Sequence, residues 1–404
     1  MSNHQTHTSL PTPPSGWLNP QDCRVQDLAA IVQTVANPES CPTAAHWVQG
    51  VPIYECRQLR QHWAACTAEE RAAQRQALMT EWVNVWRSGP GVLVLQGAFE
   101  DLSVVDAAST HFHALIEEER LTGSGGDHFA KPGANDRVWN ALEKLCLRGP
   151  QTFADYYGND MIALASEAWL GPAYQVTSQV NCVNPGGEAQ MAHRDYHLGF
   201  LSPARAQAYP AHVHQLSPLL TLQGAVAHGE MPLVSGPTVY LPHSQKYAPG
   251  YLVAGNKDFQ AFFDAHQVQL PLSKGDAVFF NPALMHAAGH NRSTDILRMA
   301  NLLQVSSAFG RAMESVDRVR MCQALYPALH ARLQAGQITA PQLENAIAAC
   351  AEGYAFPTNL DRDPPLGGLA PESQQSLMTR ALHESWPLDR FVEALQTQAH
   401  KKLT

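Results

Sequence analysis

A mainly β core with helices on either side is the fold class that this 404-residue sequence predicts. Three observations predict it. Between residues 174 and 305, short apolar runs are separated by Gly, Pro and Asn, the texture of strands and tight turns. Before and after that stretch, apolar residues recur at three- and four-residue steps behind helix-cap sequences. Within the stretch no helical period intervenes, which favours an antiparallel sandwich over a parallel α/β sheet. A double-stranded β-helix, or jelly roll, is therefore expected, with N-terminal and C-terminal helices flanking it.

In order along the chain, residues 1–20 are polar and rich in Pro, Ser and Thr and read as a flexible tail. Residues 21–88 read as a helical N-terminal segment with a helix near 25–35. Thr67-Ala68-Glu69-Glu70 has the form of a capping box and opens a second helix to about residue 87, with Leu78, Trp82 and Val85 on one face. Ser88-Gly89-Pro90-Gly91 stops it, and the apolar run 92–95 reads as a buried strand. Helices are expected at 102–120 and 152–170. The Gly-rich stretch 122–132 reads as a loop suited to a lid or to a plain connection. Strands are expected at 174–183, 191–200, 219–227, 238–241, 268–272, 277–280 and 299–305. The β-rich core thus spans 89–310. A C-terminal extension, 311–404, is helical, with Pro327 as a kink or break, a capped helix from Thr339, a Pro-rich linker at 356–371 and a closing helix pair at 372–401. That extension either covers the barrel or forms a homodimer contact, and the pattern does not choose.

Composition narrows the class. Thirty-six acidic against 27 basic residues give a formal charge of −9, which disfavours a nucleic-acid partner. The eight cysteines are scattered without a C-x-x-C pair, so reduced thiols in a cytoplasmic protein are expected rather than disulfides or a zinc ribbon. No apolar run approaches the length of a membrane span, and the N-terminus has neither a basic nor an apolar signal region.

The chemistry concentrates at His193-Arg194-Asp195. On a strand, His193 and Asp195 project from one face and Arg194 from the other. A His-x-Asp pair with a distant second His is the ligand set of the facial triad, which leaves positions open on iron. His286, between the Gly275-Asp276 turn with its following strand and the Gly289-His290-Asn291 turn, is the distal candidate. His290 is its rival, and His197 stands as a supporting group on the same face. Arg298 lies in an otherwise apolar strand and needs an anionic partner, either an internal carboxylate or a bound dicarboxylate.

The residues 91–305 resemble the phytanoyl-CoA dioxygenase family of Fe(II)/2-oxoglutarate oxygenases. The resemblance is carried by Asn184-Pro185-Gly186 before His193-Arg194-Asp195, by Ser235-Gly236-Pro237-Thr238 leading to Pro242-His243-Ser244, and by Gly275-Asp276. His286 with Gly289 and Asn291, followed by Arg298, completes it. It implies a cupin-like fold in which His193, Asp195 and His286 bind Fe(II). It also implies that Arg298 grips 2-oxoglutarate, with Gln190 near the cosubstrate or substrate. The His-x-x-Gly-x-Asn fit favours His286 over His290. Ala288 replaces a Ser found in many relatives, and Pro242-His243-Ser244-Gln245 departs from the usual Pro-Gly-Ser-His. Retention of Asp195 implies hydroxylation rather than halogenation. The implied activity is O2-dependent oxidation of a small organic molecule, with release of succinate and CO2. Lys131, Asn135, Arg137 and Trp139 are the candidate substrate contacts. The alternatives are a cupin-like metalloenzyme without 2-oxoglutarate and a non-catalytic binding protein on the same fold.

Overall fold

Alternation along the strands decides what each face of the central sheet meets. The computed structural model describes residues 16–34, 37–122, 133–197, 201–253, 255–365 and 367–403. Most of the expected tail and of the 122–132 loop, Lys131 included, lie outside the described residues. The strands are β1 (His46–Val48), β2 (Val51–Glu55), β3 (Val92–Gln96), β4 (Asn135–Val138), β5 (Gln175–Val183) and β6 (Thr221–Ala227). They continue with β7 (Val239–Tyr240), β8 (Val268–Gln269), β9 (Ala277–Phe280), β10 (His286–Ala287) and β11 (Arg298–Ser306). Eight of them form one sheet in the order β1-β2-β3-β9-β6-β11-β5-β4, and β10-β7-β8 form a second. Every pairing is antiparallel except β2 with β3.

Odd and even positions part cleanly. Leu93, Leu95, Phe279, Leu222, Val226, Val180, Leu303 and Val305 join the core shared with the helices. Val92, Val94, Val278, Phe280, Ala225 and Ala227 point the other way and pack towards Tyr240 of the small sheet. The functional residues lie between the two sheets, so this period-2 pattern positions them.

The helix Ala68–Arg87 begins as the capping box requires: Thr67 accepts from the Glu70 amide, and Glu70 accepts from the Thr67 amide. Its Leu78, Trp82 and Val85 are buried. The capping box at Thr339 opens Ala340–Cys350 in the same way. Four expectations need correction. Residues 21–88 contain β1 and β2 besides helices, and β2 joins the main sheet through β3. The single helix expected at 152–170 is two, Pro150–Tyr157 and Asp160–Leu170, because Asn159 Oδ1 accepts from the Met161 and Ile162 amides at 3.0 Å and starts a new helix. Helices do intervene among the later strands: Lys257–His266, capped by Asn256, buries only Phe259 and Phe263, too sparse a stripe to register as a period. The helix Arg318–Gln334 runs through Pro327 without a break, held by buried Leu325, Tyr326, Ala328 and Leu329 on either side.

A polar network is sealed on the helix-facing side. Ser109 Oγ donates to Val105 O at 2.7 Å, so it accepts from His228 Nδ1 at 2.8 Å, and Tyr156 OH donates to His228 Nε2 at 2.8 Å. That accounting makes His228 a neutral imidazole, and burial pushes its pKa down to about 3. The unfolded chain therefore binds a proton more readily than the folded one. This histidine's share of stability is complete above its ordinary value near 6.5 and is lost as pH falls towards about 3. His228→Phe is expected to lower stability at pH 7 and to flatten its fall below pH 6.5 by about one proton, or about 1.4 kcal/mol per pH unit at most. Urea unfolding of both proteins across that range checks it; parallel pH profiles would refute it.

Candidate metal centre and its cavity

Two turns bring the distant ligands together. Asn291 is fully buried and donates from Nδ2 to Val183 O (3.1 Å) and Ile296 O (2.8 Å), while its Oδ1 accepts from the Ser293 amide and hydroxyl. Gly186 N donates to Asn291 O and Asn291 N to Gly187 O, both at 2.9 Å, docking the Asn184–Gly187 turn on the turn after His286. Gly289 allows the close approach, since a Cβ there would lie 2.5 Å from Pro237 O.

From that clasp the chain 190–195 runs antiparallel to 282–288. Gln190 N donates to Ala288 O, His193 and His286 exchange reciprocal amide bonds, and Asp195 N donates to Pro282 O, all at 3.0 Å. The strand expected over 191–200 is not a full strand: His193 pairs with His286 as an isolated bridge, and 198–200 lie outside the described residues. The reason is the partner. Pro282 has no N–H to return Asp195's bond, and β10 is two residues long. The alternation survives nonetheless. Arg194 turns away and is buried, donating to Tyr247 O at 2.8 Å and to Ser244 O, with its guanidinium 5.7 Å from the Tyr251 ring. Gly250 leaves it room, for a Cβ there would fall 1.9 Å from the guanidinium carbon.

His193, Asp195 and His286 each offer a ligand atom, and these atoms lie within 4.8 Å of one another. His193 Nε2 stands 3.8 Å from Asp195 Oδ1, and His286 Nε2 stands 3.7 Å from Oδ2. The imidazoles are aimed by the same device: His193 Nδ1 bonds Met191 O at 2.9 Å and His286 Nδ1 bonds Leu284 O at 2.8 Å. A carbonyl only accepts, so Nδ1 carries the proton and Nε2 keeps its lone pair for a metal. Burial, with His193 close by, pushes the His286 pKa down to about 4 despite Asp195, holding it in the neutral form that ligates. Gln223 Nε2 donates to Asp195 Oδ2, while Oδ1 is buried without a hydrogen-bond partner.

These side chains line one cavity with Arg298, Gln190, Arg137 and Trp139. Arg298 is 7% exposed and donates to Gly289 O at a long 3.5 Å; among the described residues no carboxylate lies within salt-bridge distance. Burial, partly offset by Tyr240, pushes its pKa down to about 10. The cavity thus holds a guanidinium in want of an anion. Gln190 faces it with its Oε1 3.4 Å from the Ala288 amide. His290, His197 and Asn135 are not among the lining residues; His197 bonds Thr221 Oγ1 at 2.6 Å instead.

Sequence reasoning missed Gln179, Asn181, Gln223 and Gln304, all in the cavity wall. Their signal was of the same kind as that of Arg298: a polar residue in an otherwise buried strand. On β11, Arg298, Ala300, Leu302 and Gln304 share the inward parity.

Comparison with known proteins agrees with the geometry. Residues 88–300, just over half of the chain, match the phytanoyl-CoA dioxygenase (PhyH) family. The chain belongs to that family. Among curated proteins it is similar to dioxygenase FrzG of Cladobotryum sp, 26% identical over 191 residues, which are 46% of this chain and 48% of the relative. The chain therefore spans about half the length of that relative. Among solved structures it is similar to SnoK, a non-haem α-ketoglutarate-dependent carbocyclase from nogalamycin biosynthesis (21% identity, TM-score 0.43, 58% of this chain, 86% of that one). It is also similar to the epimerase SnoN from the same biosynthesis (19% identity, TM-score 0.40, 57% of this chain, 82% of that one). Fe(II), 2-oxoglutarate and O2 are the family's reactants and cofactors, and this site fits the first two: the orphaned Asp195 Oδ1 beside two lone-pair imidazoles suits a divalent metal, and Arg298 suits a dicarboxylate. Among the described residues no helix is long and apolar enough to cross a membrane.

Gln223 holds Oδ2 of Asp195 and so leaves Oδ1 for the metal. Gln223→Leu is expected to weaken Fe(II) binding about 10- to 100-fold, as losing a partner of a ligand does. Anaerobic calorimetric titration reads it; unchanged affinity would show that the bond does not orient the carboxylate.

Proposed function

We propose that the protein is an Fe(II)- and 2-oxoglutarate-dependent dioxygenase that hydroxylates a small organic molecule and releases succinate and CO2. The observation that carries this reading is the convergence, in one buried cavity, of three metal-competent side chains and a guanidinium without a carboxylate. His193, Asp195 and His286 would hold the iron. Arg298 would pair with the far carboxylate of 2-oxoglutarate, and Gln190 would stand beside it. Bound there, iron with 2-oxoglutarate and O2 supplies the oxidising power for C–H chemistry.

The chain's own residues do the rest. The Met191 and Leu284 carbonyls fix both imidazoles before any metal arrives, and Gln223 fixes the carboxylate. Val278, Phe280, Leu302 and Leu272 give the same cavity an apolar wall that would keep water from the reacting bond. Asp195 would supply the carboxylate ligand that halogenating relatives lack, which supports hydroxylation. We read the two sheets as a double-stranded β-helix in an oxygenase domain at 89–310, between the N-terminal segment and the C-terminal helices. A cupin-like enzyme without 2-oxoglutarate would need Arg298 in a structural ion pair, and no such pair exists among the described residues.

Anaerobic titration tests this. Wild type is expected to bind Fe(II) and then 2-oxoglutarate; His286→Ala should lose the metal. Arg298→Leu should keep Fe(II) and weaken 2-oxoglutarate by about 100-fold or more, the loss that follows when one partner of a buried charge pair is removed. Equal 2-oxoglutarate affinity in wild type and Arg298→Leu would refute the assignment, and wild type that binds neither ligand would refute the function.

A further inference from the structure

One corner of the cavity is used by neither the metal ligands nor Arg298. Asn181 reaches into it from β5; it is 7% exposed, and its Oδ1 is buried with no hydrogen-bond partner. Register places Asn181 opposite Arg137 of β4 on one side and Ala300 of β11 on the other. Ala300 has nothing to donate and leaves space. Arg137 is 8% exposed, donates from Nη1 to Gln179 Oε1 at 3.0 Å, and lies 5.3 Å from the centre of the Trp139 ring. A fork of donors therefore stands beside an orphaned acceptor, with an aromatic ring alongside.

Charge selects among ligands. Glu314 lies behind this corner, outside the cavity lining: its Oε1 accepts from the Asn140 amide at 2.9 Å, and burial pushes its carboxyl pKa up against the pull of Asn140, Gln179, Lys144 and Arg137. Arg137 thus already has a carboxylate in its field, so an anionic group would meet Glu314 as well as Arg137, and a cationic one would meet Arg137. Burying a charge that is not matched is costly, whereas a neutral group with one acceptor and one donor satisfies both side chains. Directly paired residues on antiparallel strands hold their side chains about 5 Å apart on one face. The ligand must then present its acceptor and donor on one edge, as a cis amide does and a trans amide does not.

We propose that this corner binds the substrate's head group, and that the head group is a lactam-type amide. Its carbonyl accepts from Arg137, its N–H donates to Asn181 Oδ1, and its ring lies against Trp139. The inference deepens the oxygenase reading by naming a substrate class, but the binding it describes does not itself need the metal.

The probe is 2-quinolone, titrated calorimetrically into the full chain, metal-free and again with Fe(II) and 2-oxoglutarate under anaerobic conditions. N-methyl-2-quinolone, 2-naphthoate and 2-naphthylmethylammonium are the comparators. The lactam is expected to bind in both forms and N-methylation to weaken it about tenfold, the worth of one buried hydrogen bond. In Asn181→Leu the lactam and its N-methyl form should bind alike, and Arg137→Gln should weaken both. Tighter binding of the carboxylate or the ammonium, indifference to N-methylation in wild type, or no lactam binding overturns the proposal. The metal-free titration keeps this outcome separate from a failure to bind Fe(II) or 2-oxoglutarate, which bears on the function instead.

Discussion

The reciprocal amide bonds between His193 and His286, each 3.0 Å, are the constraint on which the rest of the centre depends. They sit at the centre of the pairing between two chain segments that lie far apart in sequence. Once the two residues are a bridged pair, their side chains leave the backbone on the same side, and ring centroids 4.6 Å apart follow. Asp195 is then placed by strand period alone, one residue past Arg194 on the same face. The docked turns at 184–187 and 289–291 set the register of that pairing. A slip of the 190–195 segment by one residue would turn His193 and Asp195 away from the cavity and bring Arg194 into it. The buried Asn291, whose side chain alone bonds three residues, is what makes such a slip expensive.

The three buried cationic or acidic groups around this pairing are treated differently, and the difference separates structure from chemistry. Arg194 is buried with both terminal nitrogens of its guanidinium donating to backbone carbonyls and an aromatic ring alongside, so although Nε is unpartnered most of its cost is met locally and it serves as a staple. Arg298 is comparably buried but has one long bond to a carbonyl, and Asp195 keeps one oxygen with none. Buried polar groups in folded proteins are ordinarily satisfied. Two under-satisfied groups of opposite charge in the same cavity, neither paired with the other, are what a site for a cation and an anion requires.

Much of this was legible in the sequence because its causes are local. The capping boxes at Thr67 and Thr339, the strand 277–280 and the long strand carrying Arg298 are dictated by residues within a few positions, and the structure has them where expected. Elements whose cause lies elsewhere were not legible. β2 is short and owes its place in the main sheet to β3, more than thirty residues on, and β1 is held there only through β2. The His-x-Asp segment stops short of a full strand because of Pro282, a residue almost ninety positions away that cannot return a hydrogen bond. The break at Gly158–Asn159 was visible in principle, since Asn after Gly is a cap signal, but an uninterrupted apolar stripe on both sides masked it.

For the cavity wall the lesson is one of parity. Gln179, Asn181, Gln223 and Gln304 look unremarkable in composition, and an amide inside a strand is tolerated on any solvent-facing side. What distinguishes these four is that the opposite parity of β5, β6 and β11 is filled by Val180, Cys182, Leu222, Leu303 and Val305, all packed against helices. The sheet therefore has no solvent face on which to hide a polar residue, and inward amides must be answered by one another, by the metal ligands or by a ligand. The Gln223 amide N–H groups are answered by Asp195 and Gln304, and the Gln179 oxygen by Arg137. The carbonyl oxygens of Asn181 and Gln223 both lack a partner among the described residues, and of these it is Asn181 that stands opposite the Arg137 guanidinium, the pairing on which the proposed head-group site rests.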